Sequence, residues 1–344
     1  MGPHTAYGGG AIELAARAVL WTPGCGMLRQ LCFVALTGVG LAVKVTPELA
    51  AARRAVMSEG VGDVPELLSW EDYKTTFVKL YSDAAEEAVA KAAFDENVAE
   101  IVRLNAAADN GEHDFRVGVN DFTDMPHQLW RSTYLGSADQ MREAQREWKT
   151  LPQHEVEVGA EDPAPVDWRT KGAVGPVKNQ GSCGGCWSFS TTGALEGAYQ
   201  IATGSLRSLS EQQLIDCSVS FGNMGCKGGS MRMAFDYILA NKGIDSEADY
   251  PYSASGPNAC WKQAANRTVA TLTKFTAVPT ASETALVAAT VLGPVSVAIE
   301  ADHPVFQHYK SGVVNNASAC GTKLDHGVLV VGFTATSYIV KNRY

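Results

Sequence analysis

The sequence has no run of about 18 or more apolar residues, the length a helix needs to cross a bilayer, so no segment clearly reads as a transmembrane span. It has no dense basic patch, which argues against nucleic acid as the main partner. Internal repeats are absent. Cys183 and Cys186 have no second close pair to complete a zinc site, because Cys217 and Cys226 are spaced too widely for a ligand knuckle. Trp187 stands where haem attachment would require histidine.

What is present is globular material. Of 344 residues, 46% are hydrophobic and 19% charged, enough to build the core of one large or two ordinary domains. The net charge of −9 is uneven. Residues 163–344 hold 14 Lys+Arg and 12 Asp+Glu of the chain's 28 and 37, so this half carries +2 and residues 1–162 carry −11. Halves of opposite sign attract, and acid weakens that attraction as carboxylates protonate. Near the start, Arg29 precedes a mostly apolar run from Leu31 to Val43 with a small-residue exit at Gly40-Leu41-Ala42. That pattern suits a secretory signal peptide or signal anchor.

Residues 70–105 read as helix. Trp70, Phe77 and Tyr81 recur on one face, as do Glu86, Ala90, Phe94, Asn97, Ile101 and Asn105, although two asparagines are odd in a plain core seam. The polar turn "GVNDFTDM" (118–125) follows, then a charged, proline-bearing stretch over 146–168 that reads as a linker. Beyond it the spacing predicts helices over 186–203, over "LSEQQLIDC" with a capping box of Ser210 and Gln213, and over 230–243. From about 268 onward "TVATLTKFTAV", "GPVSVAIEA", "HGVLVVGF" and "YIVKN" are strand-like. Helices first and strands later predict an α+β unit of two packed halves.

The stretch "QGSCGGCWSF" (180–189) follows loop-like sequence rather than a strand, which argues against a thioredoxin-type dithiol. The remaining reading separates the two sulfurs. Cys186 opens the predicted helix, where the positive end of the helix dipole and unpaired N–H groups favour thiolate. His326, opening a strand, would be its base, and Asn342, closing another, would orient the imidazole.

These residues resemble the papain-like cysteine proteases of the cathepsin L type. Gln180, Gly181, Cys183, Gly184, Cys186 and Trp187 carry the likeness, with "GCKGG" (225–229), "DYPY" (249–252), "GPVSV" (293–297), "DHGVLVVG" (325–332) and "IVKN" (339–342). Gly185 departs mildly from the usual Ser or Ala. Upstream, Glu86, Phe94, Asn97, Ile101 and Asn105 match one inhibitory-propeptide motif, with Ala90 replacing its usual Arg, and Gly118, Asn120, Phe122 and Asp124 match a second. The resemblance covers residues 70–344 apart from the linker.

It implies a two-lobed papain-like fold, a helical left lobe and a β-barrel-like right lobe, preceded by a mainly helical propeptide. The implied boundaries are 1–42 for extension and leader, 43–162 for the propeptide and 163–344 for the peptidase domain. The implied activity is a cysteine endopeptidase made as a zymogen. Cys186 is its nucleophile, His326 its base, Asn342 the orienting amide, and Gln180 the oxyanion donor. Met231, Ala298, Leu324 and Gly327 would line an apolar pocket for a bulky P2 side chain. Gly228 and Gly229 would let substrate backbone approach, and Trp187 would flank the cleft and begin packing the helix into the core.

The family pattern pairs Cys183 with Cys226 and Cys217 with Cys260, leaving Cys186 as thiol and the partner of Cys320 beyond residue 344. Relatives continue past "KNRY", so the resemblance also implies an incomplete β half and an alternative role, a catalytically impaired homologue acting as a binding or inhibitor-like protein. Asn266 and Asn316 lie in glycosylation sequons. No metal or cofactor is implied. Protein or peptide substrates and the protein's own propeptide are the implied partners of a monomer, with no nucleic acid and no obligatory membrane partner, in the secretory pathway, a lysosome-like compartment or outside the cell.

Overall fold

The computed structural model describes residues 68–344, except 137–140, 142–147, 149–150, 152, 154–162, 262–267, 316–318, 320 and 343–344, together with the backbone of 15–20 and 30–34. The helices are α1 (Trp70–Thr76), α2 (Ala84–Asp109), α3 (His127–Tyr134), α4 (Cys186–Thr203), α5 (Glu211–Cys217), α6 (Met231–Ala240), α7 (Glu283–Val291) and α8 (Pro304–His308). The strands are β1 (Ala15–Leu20), β2 (Gln30–Val34), β3 (Asp114–Val117), β4 (Val166–Asp167), β5 (Lys274–Ala277), β6 (Val295–Ile299), β7 (Tyr309–Val314), β8 (His326–Phe333) and β9 (Ser337–Lys341). They join one sheet in the order β3-β7-β2-β9-β8-β6-β1-β5, with β4 on β8. β1 runs parallel to both β5 and β6, and β2 lies between β7 and β9. The segment with a leader-like pattern thus pairs in the sheet from Gln30 to Val34, and Val43, like both sequons and Cys320, lies outside the described residues.

The single helix read over 70–105 is two. Val78 turns the chain with φ +50°, and Asp83 starts α2 by accepting from the N–H groups of Ala85 and Glu86. Apolar spacing on either side of the break is helical, so periodicity alone cannot see the reversal. The capping box at α5 is half present. Ser210 accepts from Gln213 N–H, but the Gln213 side chain bonds Asp245 N–H and Tyr237 instead of reaching back.

Two buried clusters divide the molecule. One joins the helices to the face of the sheet they cover and contains Trp187, Leu195, Leu214, Phe235 and Ile238 with Ala298, Leu329 and Val331. The other is shared: Tyr73, Phe94, Ile101, Phe115, Phe122 and Trp130 from the N-terminal part bury together with Val297, Val305, Phe306, Tyr309 and Val328. The propeptide-like part therefore has no separate core. β3 extends the sheet by pairing antiparallel with β7. The odd asparagines of α2 have backbone partners: Asn97 donates to Thr123 O and Met125 O, and Asn105 bonds both the N–H and the O of Val117. Both are buried and held, as buried amides must be.

α4 crosses β8 at close range because small residues face the sheet. A Cβ on Gly193 would stand 2.9 Å from Leu329 Cδ2, and one on Gly197 would stand 2.6 Å from Pro294. Ser190 Oγ donates to Val328 O at 2.7 Å, fixing the helix along the strand.

The 118–125 turn is closed by charge. Asp124 accepts from Tyr73 (2.9 Å), Tyr81 (2.8 Å) and Lys79 (2.9 Å), and the Lys79 ammonium also meets Asp121 at 3.1 Å. Burial, then the nearby Asp124 and Asp121 charges, push the Tyr73 hydroxyl well above its ordinary pKa, so it remains a donor. Asp124→Ala strips Lys79 and two tyrosines of a buried partner and should destabilise this half by about 3 kcal/mol. Urea unfolding checks this against Asp95→Ala, which removes only an exposed ion pair with Lys91 and should leave the midpoint unchanged.

Candidate active site

Each side chain of the site is set by the end of an element. Cys186 is the first residue of α4, fully buried, and outside both disulfides. Its helix begins at Gly185, which supplies no side-chain cap, so the positive end of α4 is aimed at the sulfur's position. His326 opens β8, and Asn342 follows β9, its antiparallel neighbour. His326 Nε2 and Asn342 Oδ1 lie 2.7 Å apart. Because Oδ1 only accepts, Nε2 carries the hydrogen and proton exchange falls to Nδ1.

The loop before α4 is anchored at both ends. Lys178 donates to Glu211 at 2.7 Å and to Leu209 O at 3.0 Å, and Tyr252 donates to Gln180 O at 2.6 Å. The bond Cys183–Cys226 ties this loop to the 225–229 wall, and Cys217–Cys260 ties the end of α5 to the loop after the wall. Trp187 Nε1 donates to Gly225 O at 3.2 Å. The wall packs so closely on that indole that a Cβ on Gly229 would lie 2.6 Å from Trp187, and Gly228 has φ +119°. Met231 opens α6, Ala298 pairs with Gly327 across β6 and β8, and Met231, Ala298 and Leu324 belong to one buried cluster.

The chain leaving α3 runs across this site. Gln180 Nε2 donates to Tyr134 O and to Cys183 O, both at 2.9 Å. Gly136 N–H donates to Asp325 O at 2.5 Å, and Leu135 O lies 3.6 Å from the place a Gly184 Cβ would take. Met141, 1% exposed, is buried in the cluster that holds Met231, Ala298 and Leu324. Tyr134 and Gly136 thus lie on the Gln180 and Asp325 side of the cleft, and Met141 lies in the cluster of Met231.

The second motif of the N-terminal part docks nearby. Gly118 N–H donates to His308 O at 2.8 Å and Asn120 Nδ2 to Gln307 O at 2.7 Å. Phe122 packs edge-on against Tyr134. In the first motif, Phe94, Asn97, Ile101 and Asn105 are buried as a row, whereas Glu86 is only half-buried and accepts from Ser82.

Residues 162–344 match the papain family cysteine proteases, and residues 70–128 match the cathepsin propeptide inhibitor domain. The chain belongs to the papain family of cysteine proteases. It is a cysteine endopeptidase built as a zymogen with an inhibitory propeptide. Digestive cysteine proteinase 2 of Homarus americanus is 42% identical over 281 residues, covering 80% of this chain and 85% of the relative. Procathepsin L of Rattus norvegicus is 41% identical over 264 residues, 77% of this chain and 76% of the relative. Among solved structures, digestive procathepsin L 3 of the Tenebrio molitor larval midgut superposes with a TM-score of 0.68 at 37% identity, over 79% of this chain and 92% of that one. The papain-like α+β fold is shared with such procathepsins. Among the described residues, no helix is long and apolar enough to cross a membrane.

Sequence reasoning misses the residues that cross the cleft, Tyr134, Gly136 and Met141, because main-chain contacts and one methionine leave no pattern. It also misses Asp325. That carboxyl is buried beside His326, accepts from Ala301 N–H at 2.7 Å, and is pushed up to about 7, chiefly by desolvation and then by the nearby Asp302 and Glu300. A raised folded-state pKa adds stability that is full below its ordinary value near 4 and is lost as pH rises through about 7. Relative to Asp325→Asn, the unsubstituted protein should therefore lose thermal midpoint as pH rises from about 4 to about 7, as differential scanning calorimetry of both proteins across this range will read.

Proposed function

We propose that Cys186, His326, Asn342 and Gln180 carry peptide-bond hydrolysis in this zymogen, that its pocket prefers a bulky apolar P2 residue, and that residues 43–162 act as the removable propeptide. The observation that carries this reading is the path of residues 134–136. A backbone carbonyl sits on the Gln180 amide and a backbone N–H on Asp325 O, beside the His326–Asn342 hydrogen bond. A peptide substrate offers the same two kinds of group.

In the proposed cycle the Cys186 thiolate attacks the scissile carbonyl carbon while His326 Nδ1 holds the proton taken from sulfur. The C–O π electrons move onto oxygen, and Gln180 Nε2–H and Cys186 N–H hold that oxyanion. Collapse expels the amine, which takes the Nδ1 proton, and leaves a thioester. His326 then removes a proton from water as it attacks the thioester. A second collapse releases the acid and restores the thiolate. Asn342 keeps the imidazole edge-on to the sulfur throughout.

Met231, Ala298, Leu324 and Gly327 form the apolar wall expected to select P2, driven by burial of roughly 25 cal/mol per Å² of apolar surface. Met141 is an apolar side chain of this chain already buried in that cluster. The intact His326–Asn342 bond weighs against the alternative of an impaired, inhibitor-like homologue. We place the protein in the secretory pathway, lysosome-like or extracellular, as a monomer with a leader at 1–42 and glycans at Asn266 and Asn316.

Incubation at pH 4.5 should release peptidase activity toward a fluorogenic peptide with a bulky apolar residue at P2 and Arg at P1. Cys186→Ala should abolish that activity, and survival of activity in this variant sinks the mechanism. Gln180→Ala should lower kcat by about 100- to 1000-fold with KM little changed, the loss expected for one oxyanion donor. Steady-state kinetics on the processed enzyme measures this.

A further inference from the structure

Four of the seven histidines, His113, His127, His303 and His308, gather where the propeptide meets α8 and β7, and the proposed mechanism uses none of them. α8 is the hub of this seam because it carries Gln307. Gln307 Oε1 lies 2.8 Å from His127 Nδ1, Gln307 Nε2 donates to Phe122 O and Met125 O, and Gln307 O accepts from Asn120. All its side-chain polar atoms are thus spent on the propeptide, and the next residue's carbonyl accepts from Gly118 N–H.

α8 is held by two unprotonated imidazoles. His303 is its N-cap, and Nδ1 accepts from Val305 N–H at 3.2 Å, which requires a lone pair that imidazolium lacks. His308, its last residue, is fully buried with neither ring nitrogen hydrogen-bonded. The charged groups that face His303 are Glu100 and Arg103 of α2, His127 of α3, and Asp302 beside it; His127 faces His308. The ion pair Arg131–Asp302 across this seam puts the cation on the propeptide, the reverse of the polarity the net charges of the two halves predict.

We propose that His303 and His308 are the acid-sensitive latch of the zymogen: protonating them uncaps α8 and hydrates its buried end, so that Gln307 lets the propeptide turn go. This rests on the reading of 43–162 as a removable propeptide.

Burial chiefly lowers both groups, His308 to about 3 from an ordinary 6.5. A depressed histidine pKa stabilises the closed form fully above 6.5, and that stabilisation is lost as pH falls below it. His303 and His308 both belong to the peptidase half, so the trigger lies there.

The test uses the full chain carrying Cys186→Ala, so that opening is read without self-cleavage. Hydrogen exchange of the Gly118 amide, corrected for intrinsic rate, reports release of its bond to His308 O. Between pH 6.5 and 4.5 opening should rise up to about tenfold per pH unit for each histidine that is protonated on release. His308→Phe should lower that slope by about one, and His303→Ser, which keeps a cap without titrating, by about one again. A slope unchanged in both variants overturns the proposal. If His308→Phe shows no cooperative unfolding at pH 7.5, His303→Ser alone decides. Peptidase activity of the chain with Cys186 intact is assayed in parallel at pH 4.5. Its absence counts against the protease reading, while the exchange slopes still decide the latch.

Discussion

The contact between α4 and β8 is the constraint from which the rest of the molecule follows. A helix that carries a reactive sulfur at its tip must lie close enough to a strand that begins with a histidine. Gly193 lets the helix approach Leu329 of β8, and Gly197, one turn on, lets it approach Pro294 just before β6. Ser190 then sets the position along the strand through Val328 O. Asn342 enters through β9, whose pairing with β8 carries it to His326.

The propeptide exploits the same sheet. By adding β3 at the β7 edge and sharing the cluster around Val297, Phe306 and Val328, it becomes part of the β half's core instead of a cover laid over it. Inhibition and folding are therefore coupled physically. The segment crossing the cleft is short and held mostly through main-chain groups, so its position depends on α3 and on the Asp124 cluster behind it.

Much of this was legible in the sequence, for identifiable reasons. Cys186, His326 and Asn342 each sit at an element boundary marked by local pattern: a glycine pair before a helix, and two Val/Ile-rich runs. Asn97 and Asn105 stood out as polar residues on an apolar row, and their backbone partners explain them. Other features left no local mark. The break between α1 and α2 hides behind helical spacing on both sides, since Val78 gives no hint of a left-handed turn. The reciprocal half of the capping box failed because tertiary partners claimed Gln213. Net charge per half misjudged the seam, because there Arg131 of the propeptide meets Asp302 of the peptidase half.

The two disulfides give the cleft a divided redox character. Each spans 43 residues, and their loops overlap across 217–226, so the glycine wall is tethered at Cys226 and the helix before it at Cys217. By loop-closure reasoning each contributes about 4 kcal/mol to the folded state. The nucleophile proposed at Cys186 has to remain reduced a few residues from Cys183, which has to remain oxidised. Both bonds are partly covered, at Cys226 in one and at Cys217 and Cys260 in the other, whereas Cys186 is fully buried. The surroundings in which this enzyme lasts are then bounded on both sides, by oxidation of its sulfur and by reduction of its wall.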